Sequence, residues 1–467
     1  MKHRCIPLLI LALAAGLASP AWAGPPGPAP TAPAPVLPAT PPRVAAPPAT
    51  TKTPAPSEGP APRTEVQQLV DHRDQITLAE VFDLLKARSP TYKAVESDIE
   101  VAKSDVKQAR VLPNPILNLS ILYLNIGFNQ NGVATYYANA TLPLLIAGQR
   151  RMRVKTAEVG VKATEADVKA TYHELAEDAR ELFVELQADQ RRIAVLEEAL
   201  AELARLHTMI AMRGKSGHET RYDILRIDVE TSVWQARLAD EEAEAHDDAG
   251  RLGVLLGMPQ WHPRAAGELG ELGVRGDADA MWPDVERTQP GVVAARRAEA
   301  WSAQSVDLIR RERWPVPAVT VGTVAIQNYY SISTSAGITV PIPVFDWGQG
   351  MLAQAKARSQ RARLQKEAVV ASTRAELERA LRLVDHRRRA LRKFEDEVLV
   401  QLGPLQAMSE SGFRDGAAQL IDLLDATRSR FELKLTQVDF LEATVQAEVD
   451  VLAVTGRIEQ LTPGVPR

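Results

Sequence analysis

The chain has 467 residues, a formal net charge of -4, 32 prolines and one cysteine, Cys5. So small a charge, with no Lys/Arg-rich run interleaved with aromatics, excludes nucleic acid held by electrostatics as a partner. A lone cysteine excludes disulfides and thiolate metal sites within the chain, and no stretch beyond the N-terminus has the ~20 apolar residues of a membrane helix.

Lys2, His3 and Arg4 precede an almost wholly apolar run from Cys5 to Leu17, and Ala21-Trp22-Ala23 supplies small residues before Gly24. That order predicts a secretory signal over residues 1–23, cut after Ala23. Cys5 falls inside it, so the exported chain is expected to be unlipidated and thiol-free. Residues 24–63 are dominated by Pro and Ala. Each proline fixes φ and removes a donor, which predicts an extended linker.

The rest is expected to be two copies of one unit, 64–265 and 266–467. Ser89-Pro90 matches Gln289-Pro290, Leu112-Pro113-Asn114-Pro115 matches Trp314-Pro315-Val316-Pro317, and Leu142-Pro143 matches Val340-Pro341. Gly148-Gln149 matches Gly348-Gln349, and Gly217 with Asp223 matches Gly416 with Asp422. By subtraction the offsets are 200, 202, 198, 200 and 199. Five motifs in order at so steady an interval indicate duplication.

Each copy opens with a helix broken at proline, Ile76 to Val111 and Trp282 to Arg313. A Pro-x-Pro step ends it, because proline and the residue before it resist helix. Two strands follow. Leu117, Leu119, Ile121 and Tyr123 alternate with Asn118, Ser120 and Leu122, and Tyr136 to Leu142 returns. In the second copy Val319 to Ala325 alternates and Ser333 to Val340 returns. Period-two alternation predicts strands, one hairpin per copy. Long helices close each copy. Leu175, Ala179, Leu182, Leu186, Asp189, Ile193, Leu196, Leu200, Leu203, His207 and Ile210 step by four and three within Gln149 to Arg213. This is a coiled-coil seam. A Gly-marked turn and a return helix to Gly257 follow, and the second copy repeats the pattern to Gly456.

One side of each hairpin is apolar or aromatic and the other small and polar, as lipid outside and water inside require. A soluble β-layer packed on helices has the same periodicity. Four strands cannot close a membrane barrel, which starts at about eight, and open edges in lipid leave backbone groups unsatisfied. A spanning chain of this kind must share its barrel with copies of itself, and three copies give twelve strands with room for a lumen. The fold class expected is mainly α with a small β part.

The stretch Gly412-Phe-Arg-Asp-Gly416-Ala-Ala-Gln-Leu-Ile-Asp422-Leu-Leu-Asp425-Ala-Thr427 resembles the second helical-hairpin tip of the TolC family of outer-membrane efflux proteins. Pro341-Ile-Pro-Val-Phe-Asp-Trp-Gly348 resembles its strand-to-helix junction. The resemblance runs from about Ile76 to Gly456. It implies a homotrimer in the outer membrane, a twelve-stranded β-barrel continued by an α-helical barrel through the periplasm. It also implies a duct passing substrates from an inner-membrane pump joined through a periplasmic adaptor. Outside that class the alternative is a periplasmic coiled-coil adaptor or scaffold; within it, the outlet of a type I protein-secretion system. The substrate is set by the pump, and the layout is similar to heavy-metal efflux members.

Asp422 and Asp425, three apart on one helix face, correspond to the family's acidic periplasmic constriction, where three chains would form carboxylate rings. The plainer reading is helix capping. Gly217, Arg221 and Asp223 in the first tip, with Phe413, Arg414 and Gly416 in the second, are the expected tip and adaptor contacts. Phe413 and Ala418 stand where the family often has a locking tyrosine and arginine, which leaves Arg221 or Arg414 to replace that contact. His207 and His218 lack zinc-site company, and His207 in the seam reads as a packing or interface residue. No nucleotide-binding loop or catalytic constellation is present, so neither enzyme activity nor a cofactor is expected.

Overall fold

The computed structural model describes residues 75–124, 133–214, 221–327, 331–415 and 417–460. The expected signal, Pro-rich linker, Gly217, His218 and Gly416 lie outside them.

A two-residue strand β1 (Gln75–Ile76) leads into α1 (Leu78–Arg88). Thr77 caps this helix reciprocally: its Oγ1 accepts from the Glu80 amide at 3.3 Å, and the Glu80 carboxylate accepts from the Thr77 amide at 2.9 Å. Ser89 ends α1 and caps α2 (Pro90–Arg110), with Pro90 in the first turn, where a missing N–H costs nothing. Strands β2 (Ile116–Leu124) and β3 (Val133–Pro143) form the first hairpin. Then come α3 (Gln149–Gly214) and α4 (Arg221–Leu255). A short strand β4 (Arg264–Ala265) pairs parallel with β1 and marks the passage between copies.

The second copy repeats the order: α5 (Ala278–Thr288), α6 (Pro290–Glu312), β5 (Ala318–Ile326), β6 (Ser331–Thr339) and α7 (Gln349–Phe394). A π turn at Glu395–Leu399 joins α7 to α8 (Val400–Arg414), and α9 (Leu420–Val454) returns. The sequence pattern does not announce this π turn, and α5 starts four residues before the expected Trp282, at the Asp277 cap. The turn immediately precedes the α8 segment that contains Pro404, which has no N–H for the carbonyl four residues back.

Duplication extends to single bonds. Gln149 Oε1 accepts from the Ala147 amide and Gln349 Oε1 from the Trp347 amide, both at 3.0 Å. Ser89 and Gln289 each cap their helix through the amide three residues on. Gly257 and Gly456 end their hairpins at φ +76° and +73°, each against the proline that opens α2 or α6.

The four long strands make one antiparallel sheet in the order β2-β3-β5-β6. Its register puts Leu119, Ala138, Thr323 and Thr334 abreast, and Leu117, Ala140, Val321 and Ala336. The next residues round, Asn118, Asn139, Gly322 and Ser335, share the opposite face. Among the long helices α4 packs on α3, α3 on α9, and α9 on α7 and α8, so α4 and α7–α8 lie outermost. One core gathers Val81, Leu85, Phe183, Leu252 and Val449. A second, toward the tips, gathers Leu203, Leu206, Ile210, Trp234 and Phe431, with the Trp234 and Phe431 rings edge-on at 6.1 Å.

Candidate functional site

The second tip is built by a tight turn. The Ala417 and Ala418 amides donate to the Gly412 carbonyl at 2.8 and 3.0 Å, which reverses the chain after α8. A Cβ on Gly412 would lie 3.3 Å from that of Ala418, so two small residues allow the approach. Helix α9 then starts at Leu420, and the Asp422 carboxylate accepts from the Gln419 amide at 2.9 Å. Asp422 is therefore a capping residue, with one oxygen engaged in the helix start. Asp425 lies one turn on. Both are exposed and flank the buried Leu423 and Leu424, so the fold anchors the tip through leucines and presents the acids outward.

Phe413 departs from its expected role. It is 4% exposed and belongs to the core with Leu420, Leu424 and Phe431. A side chain so buried fastens the tip from within and offers no surface to an adaptor. Arg414 and Arg221 are exposed, and Asp223 is partly so in the first turn of α4. At the copies' offset of 199, Asp223 corresponds to Asp422, but Arg226 stands where the second copy has Asp425. The paired acids thus belong to one tip only. His207 is half-exposed, 3.5 Å from the Asp228 carboxylate. The buried seam runs through Leu203, Leu206 and Ile210. A heptad template lets residues drift off the seam, because 3.6 residues per turn is not 3.5.

Two buried charge sites were absent from the sequence reading. At mid-helix Arg192 binds Asp189 and Asp439 at 3.0 Å, contacts Glu442, and lies 3.5 Å from Glu241, joining α3, α4 and α9. Asp189 is 4% exposed, and its second oxygen has no hydrogen bond. Burial first, then the Asp248 and Glu241 charges, outweigh Arg192 and raise the Asp189 carboxyl to about 7. Glu177 likewise rises to about 7, through burial and then Glu181, Asp450, Asp178 and Glu174. The one acid in an apolar seam, Asp189, was the available signal.

The other site is Glu448, 0% exposed. Its carboxylate accepts from the amides of Leu272, Gly273 and Val274 at 2.6, 3.1 and 3.2 Å and also binds Arg388. This nest ties the passage between copies to α9. Such a site needs three residues 175 or so positions away in sequence, and no local pattern announces that. Among the described residues no group of three or more His, Cys, Asp or Glu could hold a metal ion.

Toward the sheet, the apolar face is open. Leu119 is 69% and Ile338 74% exposed, and among the described residues no helix covers them. At the strand-to-helix junction Phe345 is 91% exposed, and Arg313 stacks on Trp347 at 4.5 Å while donating to its carbonyl. Among the described residues no helix is long and apolar enough to cross a membrane.

Comparison with known proteins fits this geometry. The cobalt-zinc-cadmium resistance protein CzcC of Cupriavidus metallidurans is 24% identical over 387 residues, covering 82% of this chain and 90% of that protein. The solved structure of CusC, described for its transmembrane channel formation, superposes with a TM-score of 0.67 at 16% identity, covering 81% of this chain and 91% of that one. The outer-membrane channel MtrE of Neisseria gonorrhoeae, in its open state, gives a TM-score of 0.62 at 15% identity, over 81% and 88%. The family described as outer membrane efflux protein matches residues 81–258 and 295–457. This chain therefore belongs to the outer membrane efflux protein family, the TolC family its tip and junction motifs resemble, and is an outer-membrane efflux channel.

Proposed function

We propose that three copies of this chain form the exit duct of a tripartite efflux system, receiving substrate from an inner-membrane pump through a periplasmic adaptor. The carrying observation is the four-stranded sheet with β2 and β6 as its edges and an exposed apolar face. In lipid each unpaired backbone group costs several kcal/mol, and further copies remove the edges. Export through the signal at 1–23, with residues 24–63 as a tether, belongs to the same reading. Mass measurement in detergent tests it: three subunits are expected, and a stable monomer or dimer sinks it.

The substrate class that fits best is a divalent metal cation. Two features support this: the relation to CzcC, a cobalt-zinc-cadmium resistance protein, and the exposed Asp422 and Asp425 at one tip. Three copies would bring six carboxylates to the periplasmic entrance, a ring that draws cations. Arg221, Asp223 and Arg414 are the exposed or partly exposed tip residues open to an adaptor. Deleting the gene should sensitise cells to cobalt, zinc or cadmium and leave drug tolerance unchanged; the reverse pattern would exclude the cation reading.

A further inference from the structure

The two strand-to-helix junctions share a fold and differ in charge. In the first copy a cleft of about 920 Å³ lies where the end of α2, the end of β3 and the start of α3 meet. Its apolar lining includes Leu112, Leu142, Leu144 and Ile146. Its basic lining is Arg110, Arg150, Arg151 and Lys155. Leu142 stands in register with Val319, two residues on from the Ala140–Val321 pair of the apolar face. Ile146 is 71% exposed. The apolar lining therefore continues the face of the sheet that meets hydrocarbon, and the basic lining sits directly beside it.

The basic residues stand against local preference. Arg150 and Arg151 fall in the first turn of α3, which holds no acidic residue. Cations there oppose the helix macrodipole, so helix stability does not account for them. Ion pairs account for only some of the cluster. Arg110 pairs with Glu158 at 3.2 Å, and Arg153, just outside the cleft, with Glu312 at 2.7 Å. Arg151 and Lys155, four apart and both exposed, make no ion pair among the described residues. Arg150 donates through Nε to the Arg110 carbonyl at 2.8 Å, which holds its guanidinium at the end of α2.

The second copy is the internal control. The apolar lining is repeated there: at the offsets of 202 and 198, Trp314, Val340, Ile342 and Val344 are the counterparts of Leu112, Leu142, Leu144 and Ile146, and all four are exposed. The basic lining is not repeated. At the offset of 200, Gly350, Met351 and Ala355 stand for Arg150, Arg151 and Lys155, and at 202 Glu312 stands for Arg110. Arg313, beside the second junction, is engaged by the Trp347 ring and carbonyl. Helix α7 starts all the same, so the fold requires no cation at this place.

We propose that the first junction binds an anionic phospholipid of the periplasmic leaflet, its phosphate on Arg150, Arg151 and Lys155 and its acyl chains against Leu142, Leu144 and Ile146. This rests on the reading of the sheet as membrane-spanning and adds to it a lipid-selective site in one copy of the repeat. Guanidinium forks match phosphate oxygens two at a time. An anion at the start of α3 is favoured by the same dipole that the arginines oppose. The two-sided lining selects lipid over a free anion. A soluble phosphate would meet the cations and leave the apolar half in water, whereas an acyl chain covers that half.

The test uses the full-length protein in detergent micelles, with retained lipid read by native mass spectrometry. Phosphatidylglycerol and phosphatidylcholine are added separately, because they share phosphate and acyl chains and differ in net charge. Wild type should retain phosphatidylglycerol in preference. The variant Arg150→Gly/Arg151→Met/Lys155→Ala carries the residues of the second copy at exposed positions and should fold. Each cation removed should weaken phosphatidylglycerol binding roughly fivefold and leave phosphatidylcholine unchanged. If the triple variant does not assemble, Arg151→Met with Lys155→Ala carries the same test, since neither residue has an ion pair to lose. Lys356→Ala, at the second junction, should change nothing. Equal retention of phosphatidylglycerol by wild type and variant overturns the proposal, as does equal retention of the two lipids by wild type. Glycerol phosphate, the same phosphate ester without chains, should not compete at equal concentration; displacement by it would make this a site for free anions and also overturn the proposal. Membrane fractionation is the separate check: a chain absent from the outer-membrane fraction defeats the membrane reading itself, whatever it binds in micelles.

Discussion

At the residue scale the two tip acids divide their work. Asp422 caps α9 through the Gln419 amide, and Asp425, one turn on, takes no part in that cap. Asp422→Ala should therefore cost about 1 kcal/mol of local stability, and Asp425→Ala close to nothing. If the acids also line the entrance, the double variant should raise single-channel conductance in planar bilayers and weaken block by divalent cations. Equal conductance and equal block in wild type and variant would leave capping as their whole function. Asp189 gives a different test. Its carboxyl, ordinarily near 3.8, is raised to about 7. The folded chain thus keeps a proton that the unfolded chain has released between roughly pH 4 and 7, and stability falls as pH rises through that window. Asp189→Asn cannot ionise, and Arg192 keeps Asp439 and Glu442. Near pH 3.5 variant and wild type should melt together; the gap should open as pH rises, and at pH 8 the variant should melt several degrees higher. A constant difference across that range would show that Asp189 does not titrate there.

At the scale of elements the duplicated glycines are a controlled pair. Both Gly257 and Gly456 adopt positive φ, which costs any other residue about 1–2 kcal/mol. A Cβ at Gly257 would also lie 2.9 Å from the Arg88 carbonyl, a rigid neighbour, whereas at Gly456 the nearest atom is a Pro290 ring carbon at 3.1 Å. Thermal melts should show Gly257→Ala as the more damaging by about 1 kcal/mol; equal losses would mean that only φ matters. Glu448→Ala should cost about 3–5 kcal/mol, since it strands three amides and leaves Arg388 only Glu271 and the Val274 carbonyl. A loss below 1 kcal/mol would show that solvent reaches the nest. These cases mark what sequence makes legible. Helix breaks at Pro90 and Pro290, hairpins at period two and glycine-ended helices are written in local patterns, and each lies within a few residues of its expected place. The tip acids were legible as exposed positions on one helix face. Glu448, the Arg192 network and the burial of Phe413 were not, because each depends on which distant helices pack together. The π turn had a cue in Pro404, but a proline says only that one bond is lost and not how the helix absorbs it.

For the whole molecule the decisive property is the sidedness of the sheet. Every strand alternates, and the register brings the alternations into phase, so that one face is apolar and exposed and the other mostly small and polar. A soluble β-layer would bury the apolar face against helices, but among the described residues none covers it. Val321 and Val324 isolate this property: they share a strand and a residue type but point to opposite faces, Val321 abreast of Ala336 and Val324 abreast of Ser333. Arginine at 321 would face hydrocarbon and should cost about 2–4 kcal/mol per chain near mid-membrane. Three copies multiply that penalty, so Val321→Arg should reduce assembled trimer in outer-membrane fractions severalfold. Arginine at 324 would face water, so Val324→Arg should assemble normally and shift channel selectivity toward anions. Assembly yield and ion selectivity are independent readouts, and the two variants should separate on both. Equal assembly with unchanged selectivity would show that neither face meets lipid, and the sheet would then be a soluble layer on a helical scaffold.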